Sequence, residues 1–392
     1  MKRILHGIAL LSVTAHADVQ FSGNVTGEYR YFPERALYEG QLSDQFALTL
    51  EPEWYWRLEQ GGGITFRPFY HLDSGDEKRT HGDIRELMWL HYGRDWELKV
   101  GIGEVFWGVT ESQHLVDVIN QTDAVQAQDF EEKLGQPMVQ YSRLGNWGTF
   151  SAFVLPYFRE RTFPGVEGRL RPPLPVDADQ ARYQSDREEQ HVDYALRWSG
   201  HIGFWDMGLY YFDGTDRDPT LLPAGPPTSP TSLIPYYTQM RQTGLDLQAT
   251  WGGVLYKLEA LYRDGEEDHR AMTGGVEYTS VGVLGKAWDL GLLLEYQYDS
   301  RGRIPMVVGQ NDAFVGVRWV RNDPAGTEIL LGTTRDLDEG GEYAGRLEAS
   351  SRLNNHFKWR VESYWFVSDY AGSPLNSIRN DDFIQLSLEY HF

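Results

Sequence analysis

Apolar and polar residues alternate with a period of two over most of this chain. The final segment shows the pattern, because apolar side chains occupy every second position and polar side chains occupy the positions between them. Alternation of this kind is typical of β-strands that present two different faces. The apolar set is Ile384, Leu386, Leu388, Tyr390 and Phe392, and the polar set is Gln385, Ser387, Glu389 and His391.

Connections of two classes separate the alternating runs. Tight turns, such as Gly61-Gly62 and Gly145-Asn146, alternate along the chain with long polar segments, such as 159–190 and 213–238. Transmembrane β-barrels join their strands in this way, with short periplasmic turns and long external loops. The pattern therefore predicts an all-β fold, a transmembrane antiparallel β-barrel of about 18 strands, within a range of about 16 to 18.

Alternation by itself does not separate a membrane barrel from a soluble sandwich, because the strands of both have one apolar and one polar face. Tryptophan residues near the ends of the runs favour the barrel, since such rings sit well at the level of lipid headgroups. These residues are Trp96, Trp147, Trp198, Trp251 and Trp288.

The N-terminus has the layout of a secretory signal peptide. The basic residues Lys2 and Arg3 precede an apolar stretch and the small-x-small sequence Ala15-His16-Ala17. We therefore expect residues 1–17 to be removed, which leaves 392 − 17 = 375 residues, from 18 to 392, as the barrel. Loss of the two basic residues changes the formal net charge from −21 to −23.

The segment 105–138 lacks strand alternation and forms the third long connection, between the fifth and sixth predicted strands. It contains a Trp-Gly break and a helix-like apolar patch over residues 115–119. A connection of this length without strand character is uncommon and usually functional. We predict that it folds into the lumen as a pore constriction, with the site residues Trp107, Gly108, Glu111, Asp117, Asn120 and Asp123.

Several of these residues leave alternatives open. Trp107 and Gly108 mark either a bend where the chain leaves the wall or a simple strand end with an interface tryptophan. Asn120 and Asp123 suit the cap of a short helix, which is the favoured role, or the binding of a cation by the loop.

A barrel of about 18 strands is wide enough for an aqueous lumen. Its selectivity would then depend on lumen charges and on the inserted loop. Basic residues on the polar faces either create a transverse field with acidic residues of the loop or pair with them and fix the loop to the wall. The predicted basic wall consists of Arg67, Arg85, Lys99, Arg318 and Arg360.

The formal net charge of −21 argues against nucleic acid, whose binding needs clustered basic residues. Ser112 and His114 lie close in sequence, but nothing orients them as nucleophile and base. No histidine pair has convincing zinc-ligand spacing. We therefore expect no enzymatic activity, no metal and no cofactor. The expected partners are outer-membrane lipids and lipopolysaccharide, the barrel-insertion machinery and small solutes, and the sequence is compatible with a homo-oligomer.

The last seven residues, 386–392 (LSLEYHF), resemble the closing strand of Gram-negative outer-membrane barrels. Such strands end in phenylalanine with an aromatic residue two positions earlier. The resemblance implies that Tyr390 and Phe392 act as a membrane-insertion signal that the barrel-insertion machinery reads.

A second resemblance concerns the central segment. Residues 106–108 (FWG) with residues 118–123 (VINQTD) are similar to a WG…INPxD pattern of poorly characterised proteobacterial outer-membrane families, with Gln121 in place of the usual proline. The general porin family also places its constriction loop third, which matches the position of 105–138. This agreement concerns architecture and implies no substrate.

These observations predict a porin of the bacterial outer membrane that admits small hydrophilic or amphipathic solutes by passive diffusion and is narrowed by the inserted loop. The alternative is an outer-membrane barrel that transports lipids or hydrophobic compounds. That function would need apolar residues at polar-face positions, for which the candidates are Leu87, Trp89, Phe153 and Leu155.

Overall fold

A computed structural model describes residues 19–59, 61–126, 131–302 and 309–392. The predicted signal peptide, residues 1–17, lies outside the described residues. The regular structure is almost entirely β-strand, as the alternating runs predict. In chain order the strands are β1 (Val19–Tyr31), β2 (Asp44–Arg57), β3 (Gly63–Asp73), β4 (His81–Tyr92), β5 (Trp96–Gly103), β6 (Gln136–Gly145), β7 (Gly148–Leu155), β8 (Arg182–Tyr183), β9 (Asp193–Ile202), β10 (Trp205–Thr215), β11 (Thr220–Ala224), β12 (Ser232–Tyr237), β13 (Gln239–Trp251), β14 (Val254–Asp264), β15 (His269–Ser280), β16 (Trp288–Asp299), β17 (Asn311–Arg321), β18 (Glu328–Asp336), β19 (Tyr343–Arg352), β20 (Phe357–Val367) and β21 (Phe383–His391).

Within the described ranges, eighteen strands form one closed antiparallel sheet, namely β1–β7, β9, β10 and β13–β21. Each strand pairs with the next, and β1 closes the ring by pairing with β21, where Asn24 lies opposite His391 and Tyr31 opposite Ile384. The predicted fold class, an antiparallel barrel of about 18 strands, is therefore confirmed. In the same part of the chain, no helix has both the length and the apolar character needed to cross a membrane.

The two faces of the strands confirm the predicted orientation of the barrel. On β21, Leu386 and Leu388 are exposed on the outer surface, whereas Gln385 is buried inside. On β16, Leu292 and Leu294 are likewise exposed on the outside. A soluble sandwich would bury these apolar faces, whereas a membrane barrel turns them toward lipid and keeps polar residues in the lumen.

A β-bulge on β4 changes the placement of two predicted lumen residues. The register between β3 and β4 shifts between Arg67 and Pro68, and Arg85 of β4 is the extra residue at this point. One inserted residue reverses the alternation beyond it. Leu87 and Trp89 therefore lie on the outer surface, 42% and 37% exposed, and their prediction as lumen residues is wrong.

The external loops pack against one another above the barrel. The loop 156–192 reaches the last external loop, where Arg169 pairs with Asp381 at 2.6 Å and its guanidinium lies 4.6 Å from the ring centre of Phe32. Strand β8 of this loop pairs with β12, and β12 pairs with β11, which gives a small three-stranded sheet. The sequence predicted only polar loops in these two regions.

Candidate functional site: the loop inside the barrel

The third long loop, here called L3, comprises residues 104–135 and joins β5 to β6. The predicted constriction segment, 105–138, thus ends inside β6, which begins at Gln136. The prediction of a helix-like patch at 115–119 is wrong, because the described residues of L3 form turns and irregular backbone. Their backbone N–H groups bind carboxylates of the barrel wall, as shown below, and are not available for helical hydrogen bonds.

One side of L3 is apolar and packs against the wall. Val116, Val118 and Ile119 are buried together with Phe153 and Leu155 of β7. The same cluster includes side chains of β6, β9, β10 and β13. The clustered apolar residues that suggested a helix thus form the side of the loop that packs against this wall. They cover Phe153 and Leu155, the two candidates for an apolar lumen surface.

Trp107 belongs to this packed side and lies inside the barrel, 5% exposed. Its ring centre lies 5.2 Å from that of Tyr210 and 5.7 Å from that of Phe153. The guanidinium of Arg197 lies 4.9 Å from the centre of the indole ring. The alternative of an interface tryptophan at a strand end is therefore wrong.

Glu259 of β14 binds the tip of L3, which comprises residues 108–116. Its Oε1 accepts hydrogen bonds from the N–H groups of Val109 (2.7 Å) and Thr110 (3.0 Å) and from the Thr110 hydroxyl (2.7 Å). Its Oε2 accepts from the N–H of Val116 at 3.2 Å. Gly108 has a φ of +155°, and a Cβ there would lie only 3.2 Å from Oε1 of Glu259. Glycine at this position therefore permits the close approach.

A second carboxylate, Glu295 of β16, accepts hydrogen bonds from the N–H groups of Glu111 (2.9 Å) and Ser112 (2.8 Å) and from the Ser112 hydroxyl (2.6 Å). The side chain of Glu111 pairs with Arg318 of β17 at 2.5 Å and with Arg346 of β19 at 3.0 Å. In the eighteen-stranded ring, β17 is nine strands from β5 by either route. L3 therefore crosses the lumen, as predicted, and is bound to the far wall.

Asp123 binds the return arm of L3 to β4. One carboxylate oxygen lies 2.6 Å from Nη2 of Arg85 and 2.9 Å from Nε2 of His81. The other oxygen accepts a hydrogen bond from the hydroxyl of Thr162 at 2.8 Å. Asp123 is fully buried, so these partners replace the water that its charge would otherwise need.

Asn120 connects the two arms of L3. Its Oδ1 accepts a hydrogen bond from the N–H of Val105, and its Nδ2 donates to the carbonyls of Gly103 and Leu134, all at 2.9 Å. The favoured interpretation of Asn120 and Asp123 as helix caps is therefore wrong, because the described part of L3 contains no helix to cap.

Asp117 stabilises the fold of the loop itself. It pairs with Lys133 at 3.1 Å and accepts a hydrogen bond from the N–H of Trp107 at 3.3 Å. Burial raises the pKa of Asp117, and the charge of Lys133 opposes that shift. Lys133 and Trp107 both belong to L3. The ion pair therefore connects two parts of the loop and does not attach the loop to the wall.

His114 lies between a loop carboxylate and a wall carboxylate. Its Nε2 is 3.3 Å from Glu131, and its Nδ1 is 3.9 Å from Glu259. Burial by itself would lower the pKa of His114, but the two carboxylates outweigh it and raise the pKa to about 9. Burial would raise the pKa of Asp123, but its bond to His81 and the neighbouring guanidinium hold that pKa at about 2. Both groups are therefore charged at neutral pH.

The predicted basic wall divides into two groups. Lys99 and Arg360 approach carboxylates of the wall, at 3.8 Å and 3.9 Å, and not those of L3. The other three cations pair with carboxylates of L3. For these three, the predicted alternative in which ion pairs fix the loop to the wall is the one observed. These three are Arg67, Arg85 and Arg318, with the partners Glu104, Asp123 and Glu111.

Sequence reasoning missed the two wall carboxylates that hold the tip. Neither Glu259 nor Glu295 is among the site residues predicted from the sequence. The available signal was a carboxylate at an inward position of a central strand. That signal does not identify a partner about 150 or more residues away in the chain.

The predicted insertion signal lies at the seam of the barrel. The backbone N–H of Phe392 donates to the carbonyl of Gly23 at 3.1 Å, and its ring centre lies 5.3 Å from that of Phe21. Tyr390 is 40% exposed on the outer surface. Both aromatic rings are thus in the strand pair that closes the ring, while their recognition by the insertion machinery stays a prediction.

In the described part of L3, the contacts given above lie on strands from β3 to β19. On the other side of the loop from the apolar cluster, Phe106 is 55% exposed and the side chain of Glu131 is 51% exposed. The lumen face of β20, β21, β1 and β2 is polar and includes Asn24, Glu51 and Glu389. A passage bounded by L3 and these strands is therefore the candidate site.

Comparisons with known proteins give similarity in fold. No family model matches the chain, and no curated protein sequence matches it. Among solved structures, OccK5 (OpdH) of Pseudomonas aeruginosa is similar with a TM-score of 0.53 and 11% identity, over 96% of this chain and 97% of that chain. OccK3 (OpdO) of the same organism gives a TM-score of 0.52 and 11% identity, over 96% and 95%.

A third similar structure is OccK2 (OpdF) of Pseudomonas aeruginosa, solved in complex with glucuronate, with a TM-score of 0.51 and 12% identity over 96% of this chain and 97% of that chain. Similarity at such low identity shows the fold. Together with the closed ring of eighteen strands, it defines the fold of this protein as a β-barrel of the outer-membrane type. The central WG…INPxD resemblance stays a prediction.

Proposed function

We propose that this protein is a channel through which small hydrophilic or amphipathic solutes diffuse passively across the outer membrane, and that L3 narrows it. The observation that carries the proposal is the attachment of L3 at both ends of its path across the lumen. Arg85 of β4 binds Asp123 of the loop, and Arg318 and Arg346 on the far wall bind Glu111.

The attachment supports a fixed constriction and not a mobile plug. Packing of Val116, Val118 and Ile119 against β6 to β13 closes one part of the lumen. Solutes would therefore pass on the other side of the loop, along β20, β21, β1 and β2. The polar lumen faces of these strands suit water and hydrophilic solutes.

No specific observation favours the alternative of lipid or hydrophobe transport. Its candidates Leu87 and Trp89 face outward, and Phe153 and Leu155 are covered by L3. A passive channel also needs no catalytic group, and we propose no enzymatic role for this barrel.

Reconstitution of residues 18–392 in planar lipid bilayers tests the proposal. We expect discrete conductance steps, and a larger conductance after deletion of residues 110–132, because that segment occupies part of the lumen. As a control, deletion of residues 226–230, in the external turn between β11 and β12, should leave conductance near that of the unaltered chain. Folded, heat-modifiable protein that conducts no current would refute the channel, and an unchanged current after the L3 deletion would refute the narrowing.

A further inference from the structure

The cations near the constriction are largely neutralised by L3. Arg85 is 1% exposed and pairs with Asp123, while Arg318 and Arg346 share Glu111. A cation that is buried or bound to a carboxylate contributes little attraction to an anion that passes in the water beside it. The basic wall predicted from the sequence therefore does not supply a cationic surface to the passage.

Carboxylates also face the passage from the loop and from the wall, and on the wall they outnumber the cation beside them. On L3, Glu131 and Glu132 are exposed, but Glu131 lies 3.3 Å from the charged His114, so the excess of negative charge comes from the wall. On the wall, Glu51 and Glu53 of β2 line a cavity of about 340 Å³ toward the periplasmic end, next to Arg67. Arg67 is itself paired with Glu104, the first residue of L3, so the carboxylates there outnumber it.

From this arrangement we propose that the passage selects for solutes that carry a net positive charge. The inference rests on the proposed channel function and names the class of solute. Rings of carboxylates favour cations in aqueous pores because they lower the free energy of a cation in the narrow section and raise that of an anion.

Three wall cations at lumen positions of β1 and β20 are the main opposing charges, namely Arg30, Lys358 and Arg360, and Lys358 lies opposite Glu389. Arg360 is half-exposed but lies 3.9 Å from Glu389, and Arg30 is buried and donates a hydrogen bond to Gln385 at 2.7 Å. These three cations do not reverse the balance of charge set by Glu51, Glu53 and Glu104 around Arg67.

Reversal potentials of the full mature chain, measured in planar bilayers across a gradient of potassium chloride, test the proposal. We expect the sign that marks a higher permeability for potassium than for chloride. The double variant Glu51→Gln/Glu53→Gln should lower the permeability ratio about two-fold or more, from Coulomb's law for unit charges about 10 Å away with screening by salt. The matched control Glu267→Gln makes the same chemical change on an exposed external loop and should leave the ratio unchanged.

The possible outcomes separate the two proposals. Currents with an anion-selective or non-selective reversal potential would overturn the charge preference and leave the channel intact, as would a double variant that keeps the original ratio while folded and heat-modifiable. Absence of any current would refute the channel function and this inference with it. Replacement of potassium chloride by choline chloride or sodium gluconate extends the test to organic ions, and choline should permeate better than gluconate.

Discussion

The two wall carboxylates that bind L3 allow a sharp test of how the loop is fixed. Glu259 accepts four hydrogen bonds from the tip, and Glu295 accepts three more from Glu111 and Ser112. In the double variant Glu259→Gln/Glu295→Gln, one oxygen of each side chain becomes an NH₂ group that cannot accept a hydrogen bond. The other oxygen still accepts hydrogen bonds, but these bonds now go to a neutral amide and no longer to a charged carboxylate.

The expected loss of attachment follows from the number of donors. A hydrogen bond to a charged group contributes about 1.5–3 kcal/mol, so each substitution should weaken the attachment by about 2–3 kcal/mol. The two side chains lie on different strands and bind different donors, which makes a combined loss of about 4–6 kcal/mol reasonable. That loss shifts the equilibrium between attached and detached tip by about 10³- to 10⁴-fold.

Single-channel recording is the assay, because a tip that leaves the wall changes both the width of the passage and its fluctuation. We expect a larger mean conductance and more open-channel noise in the double variant. The matched control is Glu277→Gln on β15, a lumen carboxylate between the two strands that pairs with Lys257 and Arg318. If the folded double variant has the conductance and noise of the control, the attachment of L3 does not depend on these carboxylates.

Three further predictions concern other parts of the chain. Asp123→Asn should destabilise the protein by about 3 kcal/mol in urea unfolding, because the buried ion pair with Arg85 is broken and only Asp83, at 3.2 Å, stays close to that guanidinium. The pKa of His114 is raised from 6.5 to about 9. The stabilisation of L3 by the charged imidazole is therefore complete below about pH 6.5 and is lost as the pH rises through about 9. Open-channel noise should increase in that upper range. Phe392→Ala should lower the yield of heat-modifiable barrel in the outer membrane, measured by the shift in electrophoretic mobility.

Each prediction has a control with a different expected result. Asp268→Asn, on an exposed external loop, should change stability by no more than about 0.5 kcal/mol. His114→Gln should abolish the increase in open-channel noise with pH. If the increase persists in this variant, another group is responsible for it. Phe357→Ala removes a ring that lies 5.1 Å from Tyr390 on the neighbouring strand. An equal loss of yield in both phenylalanine variants would indicate packing and not a terminal signal.

The strands of the barrel wall, their order and the lipid-facing side of most of them follow from local sequence pattern. Leu386 and Leu388 of β21 lie outside as predicted, because alternation is a property of neighbouring residues and the membrane inverts the usual burial. The position of L3 between β5 and β6 also followed from counting turns. Such features depend on chain-local patterns, which a single sequence contains.

Local pattern failed wherever a distant partner or a one-residue insertion decided the outcome. The bulge at Arg85 moved Leu87 and Trp89 to the lipid side, because alternation carries no record of a register shift in a neighbouring strand. The small external sheet of β8, β11 and β12 was likewise absent from the predicted loops.

The path of L3 was decided only by tertiary structure. Thr110 meets Glu259 across 149 positions of the chain, and Ser112 meets Glu295 across 183. Nothing in the residues around 115–119 indicates that their neighbours' N–H groups will bind wall carboxylates and not form a helix. Closure of the barrel brings these groups together, and the need to satisfy buried charges with hydrogen bonds then determines the conformation of the loop.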